Sequence, residues 1–165
     1  VNAAAVVLLV ASFAAAVIDV RTRRIPNALT SATALVALGV HIPDGPAAAG
    51  IALGAMIAAF LIGTVAFSAG WFGGGDVKLL AACCGLASFP GAVALVLYVL
   101  IAGMVLALVT AARSGRLVSL MRSTAAVAAY GAPTESYTLP YGVAIAAGSF
   151  VYALSTLVPA LRLPL

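Results

Sequence analysis

The sequence predicts an all-α, polytopic membrane protein of about six transmembrane helices, with both termini periplasmic. Three observations carry that expectation. Hydrophobic residues make up 65% of the chain and charged residues 7%, and mean hydropathy is +1.24, far outside the range of a soluble domain. Apolar runs cover 1–18, 28–42, 47–69, 77–88, 91–112 and 139–159, while prolines, glycine clusters and charges gather in the interruptions. Basic residues fall in alternate interruptions, as the positive-inside rule requires of a chain that crosses and returns.

The first run has no positive residue before it and Arg21, Arg23 and Arg24 directly after it. That polarity is the reverse of an export signal, so the run is expected to stay as a helix with its N-terminus outside. The second and fourth runs are short for a full crossing and are expected either to extend into their flanking loops or to end below the interface. The turn His41 to Pro46 separates runs two and three, and Ser88 to Gly91 separates four and five. In the third run, Gly50 and Gly54 form a small-xxx-small pair expected to let that helix approach a neighbour closely. Segment 113–138 is the one long polar connection, read as a surface loop or as an interfacial helix around Leu117 to Met121. With about 20 residues per crossing, 165 residues are expected to form a single transmembrane domain spanning 1–165, with no separate soluble domain. Seven of the eight basic residues then lie on one face, the cytoplasmic one: Arg21, Arg23, Arg24, Lys78, Arg113, Arg116 and Arg122, with Arg162 opposite.

Composition also excludes function classes. The net charge of +4 sits in small clusters beside apolar runs and forms no extended basic stripe, which argues for a lipid bilayer and against nucleic acid as partner. Cys83 and Cys84 are adjacent within an apolar stretch. They offer no CxxC spacing for zinc and no disulfide framework, so they read as small core residues, and no metal or cofactor is expected. His41 falls on the side opposite the basic loops and reads as a turn residue. Trp71, Phe72, Tyr137 and Tyr141 border the membrane boundary, where aromatic side chains commonly anchor.

Only four acids are present, and an ionisable group at membrane depth calls for a reason. Asp44 belongs to a polar turn and Glu135 to the long connection. Asp19 and Asp76 each lie where an apolar run meets the cytoplasmic boundary, at the end of the first helix and the start of the fourth. Each has an ordinary explanation: an ion pair with the neighbouring arginines for Asp19, and a helix N-cap or a pair with Lys78 for Asp76. Together they have a chemical one. Two carboxylates that meet at one depth can divide the work of peptide hydrolysis, one taking a proton from water while the other donates to the scissile carbonyl. Gly73, Gly74 and Gly75 precede Asp76 and would give an extended backbone a side-chain-free approach, where a plain glycine turn leaves the aspartate unexplained.

The stretches Asp19-Val-Arg-Thr-Arg-Arg-Ile-Pro-Asn27 and Gly73-Gly-Gly-Asp-Val-Lys78 resemble the paired motifs of the type IV prepilin peptidases, members of the GxGD class of intramembrane aspartyl proteases. In that family one aspartate precedes Ile-Pro-Asn and a second closes Gly-x-Gly-Asp, followed by x-Lys. Pro140-Tyr141-Gly142 resembles a third family element near the last helix, with Val143 where many members have another proline. The resemblance implies that Asp19 and Asp76 are catalytic and that Pro26, Asn27, Gly73, Gly74, Gly75 and Lys78 bind substrate or support the loop. It also implies prepilin-like membrane proteins as substrates, cleaved after a glycine at the cytoplasmic face of a bacterial inner membrane. Larger family members carry an extra segment with paired CxxC motifs, linked to zinc and to methylation. This chain lacks those cysteines and resembles the compact, stand-alone form associated with Flp or Tad pili.

A rival from a different class is a small proton-coupled transporter or channel, since intramembrane carboxylates also relay protons. Such a protein would be expected to hold its acids near the midplane and to show an internal repeat. A non-catalytic assembly subunit would leave the glycine run before Asp76 without a role.

Overall fold

The computed structural model describes residues 3–113 and 141–158. The described residues form six helices and no strand: α1 (Ala3–Thr22), α2 (Asn27–Gly39), α3 (Pro46–Ser68), α4 (Gly74–Ala87), α5 (Gly91–Arg113) and α6 (Tyr141–Leu157). Each apolar run of the sequence corresponds to one helix. By length and composition α1, α3 and α5 are candidate membrane spans, whereas α2, α4 and α6, with 13, 14 and 17 residues, are shorter. The surface fits a membrane protein: Phe13, Leu35, Ile62, Val65 and Phe150 are all exposed, a density of apolar side chains that water would not tolerate. Outward hydroxyls are satisfied within their own helix, Thr64 donating to the Phe60 carbonyl and Thr110 to that of Leu106, both at 2.7 Å. The expected interfacial helix around Leu117 to Met121 lies outside the described residues, as do Glu135, Tyr137 and Pro140.

Helix ends follow local chemistry. Arg23 takes a left-handed conformation (φ 54°) and its N–H closes onto the Asp19 carbonyl at 2.8 Å, terminating α1. Pro26 holds the extended geometry (φ −63°, ψ 136°) from which α2 departs. Pro46 occupies the first turn of α3 behind Gly45, whose φ of 100° favours glycine.

The short helix α4 is the centre of the molecule. It packs on α1, α2, α3, α5 and α6, and around it the neighbours run α3, α2, α1, α6, α5. Val77, Leu79, Ala81, Ala82, Cys83, Cys84, Gly85 and Leu86 are all buried, so from Ala81 to Leu86 the helix α4 is covered on every side, while Lys78 near its start is exposed. In contrast, α3 fully buries only Ala52; it lays one stripe, including Ala55, Ala59 and Gly63, against the core and turns most of its surface outward. Close approach depends on glycines other than those the sequence pattern suggests. A methyl at Gly63 would lie 2.7 Å from Val77 Cγ1, and one at Gly148 would lie 2.6 Å from the Val99 backbone. Gly50 and Gly54 have nothing within 4 Å. The expected small-xxx-small contact is therefore absent among the described residues: the face of α3 that carries this pair turns away from α4.

Candidate active site

The chain direction alternates from helix to helix, so the end of α1 and the starts of α2, α4 and α6 share one end of the bundle. That end gathers Asp19, Asn27, Asp76 and Gly142. The turns at 41–46 and 88–90, with His41 and Asp44, lie at the other end, where His41 Nδ1 sits 3.9 Å from Asp44 Oδ2.

Asp19 occupies the last turns of α1 on the face turned into the bundle and is only 7% exposed, whereas Arg21, Arg23 and Arg24 are exposed. A buried carboxylate needs a donor. It finds one in α6, where the Gly142 N–H donates to Asp19 Oδ2 at 3.0 Å. A side chain at residue 142 would not fit, since its Cβ would stand 2.9 Å from Asp19 Cβ and 3.1 Å from Oδ2.

Asp76 lies in the first turn of α4, two residues after the helix begins at Gly74. The N-cap is Gly73, so Asp76 is not the cap; its carboxylate folds back to accept the Gly73 N–H, as the third residue of a capping box does. The glycines therefore act differently from a free loop. Only Gly73 precedes the helix, and a Cβ there would stand 2.6 Å from Asp76 Oδ2. Gly74 and Gly75 are helical, and a Cβ on Gly75 would press on Ile25 at 3.2 Å. That contact lays the Ile25-Pro26-Asn27 segment against the start of α4. The other oxygen, Asp76 Oδ1, is buried and has no hydrogen-bond partner among the described residues.

Lys78 does not pair with Asp76. Residues two apart on a helix point to different sides, and the Lys78 ammonium donates to Asn27 Oδ1 at 2.9 Å. Asn27 in turn does not cap its own helix. Phe72 and Tyr141 meet with ring centroids 4.8 Å apart and planes inclined by 46°, a tilted contact beside the Asp76 turn. Asp19 and Asp76, 57 positions apart in the chain, lie near enough for the charge of Asp19 to act on Asp76, and the charge of Asp76 reaches Tyr141. Residues 6–108 match the family model described as the type IV leader peptidase family.

The chain belongs to the type IV leader peptidase family. No curated protein and no solved structure matches it. The part shared with the leader peptidases includes α1 through α4, hence Asp19, Pro26, Asn27, Gly73, Gly74, Gly75, Asp76 and Lys78, while α6 lies beyond it. By sequence alone Tyr141 reads as an interfacial anchor and Gly142 has no place at the site. The only signal for Gly142 was its position in the Pro140-Tyr141-Gly142 motif, because a backbone donor leaves no trace in side-chain chemistry.

Proposed function

We propose that this leader peptidase is a membrane aspartic endopeptidase that removes the leader from type IV prepilin-like precursors at the cytoplasmic face of a bacterial inner membrane. One carboxylate of the Asp19 and Asp76 pair takes a proton from water as its oxygen attacks the scissile carbonyl carbon. The other protonates the carbonyl oxygen, giving a tetrahedral diol. Collapse of that diol breaks the C–N bond as the proton taken from water passes to the departing amine. One diol hydroxyl returns its proton to the carboxylate that had protonated the carbonyl, leaving the carboxylic acid and restoring the pair. No metal takes part. The substrate keeps its own hydrophobic helix in the bilayer and presents an extended segment, ending in glycine, at the Gly73 end of α4. In this reading the chain crosses the membrane six times with both termini periplasmic, and it is the compact form suited to Flp or Tad pilins.

The observation that carries the proposal is the convergence of Asp19 and Asp76 from separate helices, within electrostatic reach and with Asp76 Oδ1 unpartnered. An oxygen buried without a donor is available to a water or, when it carries the proton, to a carbonyl oxygen. The test is incubation of the purified chain with candidate prepilins and mass analysis of the product. Loss of the leader, with the cut after its terminal glycine, supports the reading. Cleavage at the parent rate by Asp19→Asn or Asp76→Asn would sink it.

A further inference from the structure

Residues Tyr141 and Gly142 begin α6, outside the region that places the chain in its family, yet they touch both halves of the candidate site. Gly142 donates its backbone N–H to Asp19 Oδ2 at 3.0 Å, in a place where even a methyl group would collide with the Asp19 side chain. Tyr141 packs its ring on Phe72, which lies just before the Gly73 cap that receives Asp76. One dipeptide thus ties α1 to the segment leading into α4, and those two elements bear the two acids.

We propose that Tyr141-Gly142 is the positioning element of the site: the Gly142 amide fixes the Asp19 carboxylate, and the Tyr141 ring holds the Phe72 to Gly73 segment, so that α6 sets the separation of the two aspartates. The inference rests on the proposed aspartic mechanism. It adds to that mechanism a requirement for a glycine at 142 and for an aromatic ring, though not a hydroxyl, at 141. Neither residue acts on substrate; both work through the carboxylates. Small displacements of reacting groups are costly to rate, so losing either restraint slows turnover while leaving substrate affinity largely intact.

The test compares kcat with KM on a prepilin substrate in four forms of the full-length chain. Gly142→Ala is expected to lower kcat by about a hundredfold and to change KM less than about threefold. Replacing the Tyr141–Gly142 amide by an ester in a semisynthetic chain removes the donor without adding an atom that could collide. It is expected to lower kcat by about tenfold with KM unchanged, and it decides the matter if Gly142→Ala does not fold. Tyr141→Phe should retain parent kcat, whereas Tyr141→Ala should lose about tenfold. An ester form with parent kcat overturns the proposal, and so does a loss carried by KM alone. If Tyr141→Phe is as impaired as Tyr141→Ala, the hydroxyl is the active part and the ring assignment is wrong. Failure of the aspartic mechanism itself reads out separately, as activity retained in Asp19→Asn or Asp76→Asn.

Discussion

Lys78 and Asn27 join the N-terminal ends of α4 and α2 through a 2.9 Å hydrogen bond, leaving Asp76 without the lysine that stands two positions after it. The bond lies on the outside of the bundle, so its worth is modest. Asn27→Ala is expected to destabilise the protein by about 0.5–1 kcal/mol, and Asn27→Asp, which keeps an acceptor, by less. Thermal unfolding in detergent measures both. A double-mutant cycle with Lys78→Met should return a coupling of the same size; a coupling of zero would mean that the bond does not form in solution.

For the acids, Asp19→Asn and Asp76→Asn are each expected to reduce leader cleavage by at least about a hundredfold. The double variant should be little worse than either single one, because two groups acting as one unit lose their function together. Initial rates on a prepilin, with unfolding monitored in parallel, check this. Multiplying losses would show that the two acids act independently.

Two kinds of glycine in α3 make opposite predictions. Gly63→Ala places a methyl 2.7 Å from Val77 Cγ1. Overpacking of that sort costs about 1–3 kcal/mol, against a helix-propensity gain of at most about 1 kcal/mol, so the net effect is destabilising. Gly50→Ala and Gly54→Ala meet no neighbour and should be neutral, or stabilising by a few tenths of a kcal/mol, roughly. Equal melting temperatures for the Gly63 and Gly50 variants would contradict the packing of α3 on α4.

Orientation can be read by cysteine labelling with a membrane-impermeant maleimide. Arg24→Cys is expected to react only from the cytoplasmic side and Asp44→Cys only from the periplasmic side. Both positions are exposed, whereas native Cys83 and Cys84 are buried, so the background should be low without replacing them. The reverse labelling pattern would put the candidate site on the wrong face.

The positions of the six helices among the described residues are legible in the sequence because apolar runs and their polar breaks are themselves the signal of a helix in lipid. Nearness of the two acids was legible only as a topological consequence: helices that alternate direction must bring the end of α1 and the start of α4 to one side. What stayed hidden was finer. Gly74 and Gly75 look like loop residues by composition, yet the fold makes them helical, since Gly73 supplies the cap and Ile25 presses against Gly75. The Lys78 partner was hidden because it stands 51 positions away. Gly142 was hidden because its contribution is an amide common to nearly every residue, distinguished here only by the hydrogen in place of a side chain.

The enclosure of α4 also bears on how such a chain can change over generations. Ala81, Ala82, Cys83, Cys84 and Gly85 have neighbours on every side, so almost any larger residue there collides and almost any polar one is stranded. Most of α3 faces outward and should accept nearly any exchange among Leu, Ile, Val, Phe and Met. In a saturation-mutagenesis screen for leader removal, tolerance should therefore be narrow along the central helix and broad along the outer one. The helix that is shorter and less apolar would be the one that inheritance holds most tightly.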